Sequence, residues 1–173
     1  MTARRAGAET GRPRLLDAPR ARAVALDLLS RRGWTRRDLR ARLRRRGAPA
    51  EVAEAVVADL EARGYVDDRA FALGWAESRA RGRALGSRRL RQELTARGVA
   101  RPLVDAAVRE AFAADDEETR AREAAARRLP LLRRATPERA GRRLQAWLLR
   151  RGFPGDIVRR VVRDACGVAI PDE

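Results

Sequence analysis

The chain has 173 residues and a formal net charge of +16 at pH 7, and it contains no histidine, no lysine and one cysteine. These absences exclude a Ser-His-Asp triad, an imidazole metal site, a Walker A lysine and a zinc–thiolate cluster. The densest acidic run, residues 115–118, could hold a hard cation through carboxylate oxygens. However, acids at the start of a helix account for it without a metal. We therefore expect no enzyme activity, no cofactor and no metal.

The composition favours an all-α fold and a polyanionic partner. Aromatic residues make up only 4% of the chain, and its apolar residues are mostly Ala, Leu and Val. Helices tolerate Ala, Leu and Arg best, whereas strands favour β-branched and aromatic side chains. So large an excess of basic over acidic residues on a small protein indicates that its partner is a polyanion or an acidic protein surface.

The sequence shows no sign of a membrane or secretory segment. No stretch has 18 consecutive apolar residues, and residues 1–15 lack the apolar core of a signal peptide. The single Cys166 excludes an internal disulfide. We therefore expect no membrane contact and a cytoplasmic location.

The chain begins with residues 1–17, which carry Gly, Pro and Arg without periodicity and are expected to form a disordered basic tail. A first helix is predicted over roughly residues 19–32. A second helix is predicted after Thr35, which suits an N-cap position. It ends before Gly47, because glycine readily adopts the left-handed conformation of a helix end. A third helix begins within the next few residues, close to Pro49.

This pattern occurs three times. Each copy has two leucines four residues apart, which lie on one face of a helix, then a glycine, then a second apolar stripe. The first helices of the second and third copies are predicted over roughly residues 68–81 and 116–129. We therefore predict three three-helix repeats that stack into an elongated, curved array. Their bounds are residues 18–66, 67–115 and 116–168, with a tail over residues 169–173. The shared leucines and glycines are Leu39, Leu43 and Gly47, then Leu90, Leu94 and Gly98, then Leu144, Leu148 and Gly152.

Positive charge is segregated by helix. Residues 36–46 hold seven arginines, whereas residues 50–62 hold four acids and no arginine. In the second repeat, arginines flank a glycine-containing segment that leads into a helix, which suits phosphate contacts. For any single arginine the alternative is a solvated helix face with salt bridges, but the segregation favours a binding surface. The predicted DNA- or filament-binding residues are Arg36, Arg40, Arg44, Arg79, Arg81, Arg83, Arg88, Arg89, Arg91, Arg150 and Arg151.

Two short runs are the most specific motifs. Residues 64–72 read Gly-Tyr-Val-Asp-Asp-Arg-Ala-Phe-Ala, and residues 149–153 read Leu-Arg-Arg-Gly-Phe. Residues 20–166, which contain both runs, resemble the RecX family. The loop at residues 83–85 departs from the family, which often has Lys and Pro there. Other residues of the resemblance are Arg31, Arg32, Leu39, Leu43, Gly47, Leu60, Arg79, Gly86, Arg89, Leu90, Leu94 and Gly98.

The resemblance implies a function as well as a fold. RecX proteins are built of three-helix repeats, bind the RecA recombinase filament on single-stranded DNA, and inhibit its recombinase, ATPase and coprotease activities. We therefore expect a monomeric regulator whose partners are that filament and, weakly and salt-dependently, single-stranded DNA. The alternative is a general basic helical nucleic-acid-binding protein. A scaffold for an acidic protein is a third possibility, which the residues favour less.

Overall fold

The computed structural model describes residues 15–114 and 116–167. Over these residues the chain forms nine α-helices, one 3-10 helix and no strand, which confirms the all-α prediction. The predicted tail over residues 169–173 lies outside the described residues, as do residues 1–14 of the predicted N-terminal tail. No described helix is both long and apolar enough to cross a bilayer. The helices are α1 Ala18–Arg31, α2 Arg36–Arg45, α3 Ala50–Ala62, α4 Asp68–Arg83, α5 Ser87–Ala96, α6 Arg101–Ala111, α7 Glu117–Arg128, α8 Pro137–Arg150 and α9 Gly155–Cys166, with the 3-10 helix Leu129–Leu132 after α7.

Helices α1–α3 form the first of two compact units, residues 15–66 in the described chain. Leu39 and Leu43 of α2 are fully buried, as predicted from their spacing. The Thr35 hydroxyl accepts a hydrogen bond from the Asp38 backbone N–H at 3.1 Å and so caps α2. Gly47 lies in the turn between α2 and α3 at φ +95°, a conformation in which other residues are strained.

Helices α4–α9 form the second compact unit, residues 67–167. Two apolar clusters lie in it, one within α4–α6 and one within α7–α9. The fully buried leucines of these clusters are Leu90, Leu94, Leu144 and Leu148, all predicted from the repeat.

A close backbone contact joins the second and third repeats inside this unit. The Gly86 N–H donates to the Arg151 carbonyl at 2.8 Å, and the Arg88 N–H donates to the Gly152 carbonyl at 3.1 Å. A Cβ at Gly86 would lie 2.4 Å from the Phe153 nitrogen, so only glycine fits there without a shift of backbone. The α4–α5 connection is thereby packed directly against the α8–α9 turn.

The end of α4 differs from the sequence prediction. This helix continues to Arg83 rather than ending near residue 81, and Ala84 closes it in the left-handed region at φ +49°. The connection to α5 therefore contains only residues 84–86. Leu85 lies in that connection, is 8% exposed and belongs to the apolar cluster of α4–α6, so it packs the connection against that cluster.

Candidate anion-binding surface

Five of the predicted binding residues meet where the α4–α5 connection contacts the α8–α9 turn. Arg151 donates from its Nη1 to the backbone carbonyl of Arg83. Across the same contact, a Cβ at Gly152 would lie 2.4 Å from the Arg89 Cβ. Arg88 and Arg150 are the chain neighbours of these contact residues, and Arg88 itself donates to Gly152. We call the set Arg83, Arg88, Arg89, Arg150 and Arg151 the junction cluster.

Three members of the junction cluster lack a carboxylate partner in the described part of the chain. Arg83, Arg88 and Arg150 are exposed, and none of them forms an ion pair there. Arg89 instead pairs with Glu93 at 3.3 Å, one turn along α5. Arg151 is half-buried, and its guanidinium carbon lies 4.6 Å from the Trp147 ring centroid. The cluster thus contains three available cations beside two anchored ones.

The N-terminus of α5 adds to the positive potential of the junction cluster. A helix N-terminus carries partial positive charge and favours acids in its first turn. The first turn of α5 has no acid and includes Arg88 and Arg89. Its N-cap is Gly86, which has no side chain to accept a hydrogen bond. An external anion at this end of α5 would therefore be favoured both by the helix dipole and by the arginines.

One internal carboxylate does reach the start of α5. Glu117, the first residue of α7, accepts a hydrogen bond from the Ser87 N–H through Oε1 at 2.6 Å. Burial raises the pKa of Glu117, although the hydrogen bonds from Ser87 act in the opposite direction. One carboxylate therefore offsets part of the charge here, while the arginines around it remain in excess.

The other predicted residues of the second repeat are occupied by internal contacts. Arg79 is only 19% exposed and lies 3.2 Å from Glu93 Oε2. Its guanidinium carbon also lies 3.6 Å from the Trp75 ring centroid. Burial, followed by the nearby Arg83, lowers the pKa of Arg79. Arg79 therefore acts as a packing residue rather than as an available cation.

Arg81 and Arg91 are exposed but paired. Arg81 Nη2 lies 3.2 Å from Glu77 within α4. Arg91 Nε lies 3.1 Å from Asp105, so this ion pair connects α5 to α6. Exposed pairs of this kind contribute little to stability, but they offset much of the charge that a phosphate would meet.

In the first unit, the predicted basic face of α2 lies beside the acids of α3. Arg36 Nε lies 3.0 Å from Glu61 Oε2, and Arg40 pairs with Glu54. Arg44 is exposed and has no ion pair among the described residues of this unit. The sequence showed a basic helix followed by an acidic one, but it did not show that two arginines of the basic face pair with acids of α3.

Three arginines of α8 lie outside the predicted binding set. Arg139, Arg142 and Arg143 are exposed, and no ion pair involves them in the described chain. They lie on the face of α8 opposite the buried Leu144 and Leu148, and Arg150 continues the same stripe. Their helical spacing of three and four residues was the signal that could have identified them.

These contacts define what the surface can do chemically. Arginines bind phosphate oxygens through forked, charge-assisted hydrogen bonds and carry no information about base sequence. Among the described residues no group of three or more His, Cys, Asp and Glu side chains is placed to hold a metal ion. The geometry therefore supports the binding of an extended polyanion at the junction cluster and along α8.

Three family profiles match this chain. They are described as the first, second and third three-helix domains of RecX, and they match residues 21–60, 67–108 and 115–162. The third match begins at residue 115, one residue before the start that we predicted for the third repeat.

Curated relatives and solved structures agree with these matches. The chain is 41% identical over 158 residues to a regulatory protein RecX of Streptomyces coelicolor. The aligned residues cover 91% of this chain and 84% of the relative. It is 43% identical over 145 residues to that of Thermobifida fusca, with 84% and 78% covered. The fold resembles the crystal structure of RecX from Lactobacillus salivarius, with a TM-score of 0.75 at 14% identity, covering 87% of this chain and 97% of that one. A second crystal structure of a regulatory protein RecX has a TM-score of 0.77 at 23% identity, with 85% and 73% covered.

Proposed function

Because this chain belongs to the RecX family, we propose that it binds the RecA recombinase filament on single-stranded DNA and inhibits its recombinase, ATPase and coprotease activities. It acts by binding and does not itself catalyse a reaction. It works as a monomer in the cytoplasm, and its contact with naked single-stranded DNA is weak and salt-dependent.

The observation that supports this proposal is the junction cluster. A nucleoprotein filament offers DNA phosphates and protein carboxylates along one surface, and arginines bind both groups. Arg83, Arg88 and Arg150 are exposed and unpaired within the described residues, while Arg89 and Arg151 are held in place by Glu93 and Trp147. The junction cluster places anchored and available arginines side by side, and this arrangement is suited to binding a repetitive anionic surface.

A general nucleic-acid-binding protein remains the second candidate. The net charge of +16 favours it, because such a charge attracts any polyanion. The internal pairing of Arg36, Arg40 and Arg91 argues against a chain that simply coats DNA, because those cations are already offset by neighbouring acids.

The decisive experiment titrates the protein into the DNA-dependent ATPase reaction of RecA. The test variant reverses two available cations, Arg88→Glu with Arg150→Glu. The matched control is Arg69→Glu with Arg101→Glu, which changes the net charge equally at two other exposed positions of the same unit. We expect the wild type and the control to inhibit the ATPase, and the test variant to lose inhibition while it remains helical by circular dichroism.

A second measurement separates the two candidates. Co-sedimentation with the assembled filament and with naked single-stranded DNA is compared at two salt concentrations. Filament binding should be tighter and should keep a salt-resistant part from protein contacts, whereas phosphate contacts weaken steeply with salt. Equal affinity for filament and naked DNA would reject the filament proposal in favour of the general binder.

A further inference from the structure

An open pocket lies among α5, the end of α6 and the start of α7, and the junction cluster does not use it. It has a volume of about 480 Å³, within the range of about 300–1,000 Å³ typical of ligand pockets. We call it the α5–α7 pocket. Its lining combines an aromatic ring, two cations, a carboxylate and a hydroxyl, which belong to Phe112, Arg91, Arg109, Glu117 and Ser87.

Phe112 supplies an aromatic wall of the α5–α7 pocket. It is half-buried at the C-cap of α6 and packs against the apolar cluster of α4–α6. The guanidinium carbon of Arg120, a residue that does not line the pocket, lies 5.2 Å from the Phe112 ring centroid. Apolar packing and a cation–π contact therefore hold the ring in place. A nucleobase can stack on such a ring, because every base has a π-face.

Glu117 supplies hydrogen-bond acceptors in the same pocket. Its Oε1 accepts from the Ser87 N–H at 2.6 Å, and the Ser87 hydroxyl also forms a hydrogen bond with the carboxylate. A carboxylate has about four acceptor sites, so acceptor capacity remains for a ligand. In base recognition, carboxylates accept from the exocyclic amino group of cytosine. Glu117 therefore fits an amino-bearing base better than a base with a carbonyl at the same position.

The two arginines of the pocket differ in their availability to a ligand. Arg91 Nε lies 3.1 Å from Asp105, so an internal acid already offsets its charge. Arg109 is exposed and forms no ion pair within the described part of the chain. Since guanidinium groups bind phosphate oxygens through forked, charge-assisted hydrogen bonds, Arg109 is the residue of this pocket that suits a phosphate.

The α5–α7 pocket is adjacent to the junction cluster. Ser87 lines the pocket, and the next residue of α5 is Arg88, an exposed member of the junction cluster. A strand whose phosphates bind the junction cluster therefore has this pocket beside it. An aromatic ring, a hydrogen-bonding group for the base edge and a nearby cation are the features with which proteins hold an unstacked base of a single strand.

We propose that the α5–α7 pocket binds one unstacked, amino-bearing base of single-stranded DNA. The base stacks on Phe112, its exocyclic amino group donates to Glu117, and its phosphate binds Arg109. This inference rests on the proposed function, because it takes single-stranded DNA as a partner. It adds a preference among bases, which phosphate contacts alone do not provide.

The experiment compares the binding of two short labelled oligodeoxynucleotides of equal length, one of deoxycytidine and one of deoxyuridine, by fluorescence anisotropy at low salt. Both strands offer the same sugars and phosphates, but cytosine has an amino group where uracil has a carbonyl. The wild type should bind the deoxycytidine strand about tenfold more tightly, the effect of one hydrogen bond to a charged group. Equal affinity for the two strands, or binding to neither, would overturn the proposal.

Glu117→Gln is the most informative variant. Its one side-chain oxygen accepts from the Ser87 N–H, so its amide nitrogen is left to donate to a ligand. An amide N–H matches the carbonyl of uracil, and the preference should therefore reverse in favour of the deoxyuridine strand. Phe112→Leu should remove most of the preference by weakening the binding of deoxycytidine. Circular dichroism checks that both variants stay helical, and a wild-type preference in Glu117→Gln would contradict the assignment.

Arg109→Gln should weaken the binding of the deoxycytidine strand. Arg101→Gln is its matched control, because Arg101 is an exposed arginine of the same helix that does not line the pocket. The control should bind both strands as the wild type does. Equal losses in the two variants would mean that net charge, rather than the pocket, determines the affinity.

Free dCMP distinguishes a strand from a mononucleotide as the ligand. Added at the concentration of the strand, it should not displace the deoxycytidine oligonucleotide, because it makes no contact with the junction cluster. Displacement at that concentration would show that the pocket takes free nucleotides and would overturn the strand assignment. Inhibition of the RecA ATPase without a base preference would reject the pocket and leave the proposed function standing. A base preference without inhibition would do the reverse.

Discussion

The backbone N–H of Ser87 donates a hydrogen bond to Glu117 Oε1 at 2.6 Å, so the first residue of α7 caps the first turn of α5. Gly86 cannot supply this acceptor, because it has no side chain. The capping residue of one repeat is therefore provided by the next repeat within the same compact unit.

Glu117→Ala should destabilise the second unit by about 1–2 kcal/mol, the usual cost of losing an N-cap acceptor. Glu117→Gln should cost less, because its amide oxygen can still accept from Ser87 without the burial of a charge. Urea denaturation followed by circular dichroism measures both changes. Equal losses in the two variants would show that the charge, rather than the acceptor, matters.

Glu117 should also affect stability as the pH changes. Its pKa in the folded chain lies above the ordinary value of 4.5, because burial disfavours the carboxylate. Its contribution to stability is therefore greatest below pH 4.5 and falls as the pH rises through the folded pKa. Glu117→Gln should remove this part of the pH dependence in the same denaturation series.

Gly86→Ala should destabilise the contact between the second and third repeats by about 1–3 kcal/mol, the usual cost of overpacking. The added Cβ would meet the backbone of Gly152 and Phe153 at 2.4–2.5 Å. Gly74→Ala is the control, because nothing lies within 4 Å of its Cβ and it lies inside α4. That control should stabilise the protein by about 0.5–1 kcal/mol. A Gly86→Ala protein as stable as its parent would contradict the close contact.

The carboxylate of Glu118 should make the link between α7 and α9 sensitive to acid. It accepts hydrogen bonds from Arg122 at 2.6 Å and from Arg160 at 2.8 Å, which lower its pKa. A lowered folded pKa gives stability that is present above the ordinary value of 4.5 and is lost as the pH falls through the folded pKa.

The test of this link is the melting temperature of Glu118→Gln between pH 7 and pH 3. The variant should melt below the wild type at neutral pH, and the difference should vanish in acid. Glu123→Gln is the matched control, since among the described residues Glu123 pairs with Arg127 of its own helix. It should show a smaller difference at neutral pH, and a constant difference for Glu118→Gln at every pH would refute the assignment.

Leu94→Ala should cost about 2–5 kcal/mol, the range for a fully buried leucine. Leu94 is 0% exposed within the apolar cluster of α4–α6. Leu149→Ala removes the same atoms from a side chain that is 41% exposed and should cost much less. Chemical denaturation measures the free energy of unfolding of both variants. Similar decreases in the two variants would mean that the burial of Leu94 does not stabilise the fold more than the exposed Leu149 does.

Arg88→Gln should lower the salt dependence of single-stranded DNA binding. Removing one phosphate contact reduces the slope of log K against log salt concentration by about 0.7 for a single strand. Arg91→Gln should change the slope less, because Arg91 already pairs with Asp105. Fluorescence anisotropy at four salt concentrations measures both slopes. Equal slopes for the two variants would show that the ion pair with Asp105 does not keep Arg91 from contacting phosphate.

Much of the fold could be predicted from local features of the sequence. Leucines four residues apart, such as Leu39 and Leu43, must share one helix face, and both are buried. Gly152 lies at φ +84°, as its position after a predicted helix required. These features depend on residues close together in the chain, so the sequence contains all the information needed.

The end of α4 could not be predicted in the same way. Gly82 and the neighbouring arginines suggested a loop, but α4 continues through them to Arg83. What ends the helix is the left-handed Ala84 together with the burial of Leu85. That burial depends on tertiary packing, which no local pattern describes.

By itself the sequence determined an all-helical chain with a threefold repeat, buried leucine pairs and a large excess of arginine. The tertiary structure decided which arginines remain available to a partner. Arg88 and Arg91 lie three residues apart in α5, yet Arg91 pairs with Asp105 of α6 while Arg88 meets the α8–α9 turn without an ion pair in the described chain. The physical reason is that an ion pair requires two charges within a few ångströms. That distance is set by the packing of helices that are far apart in the sequence.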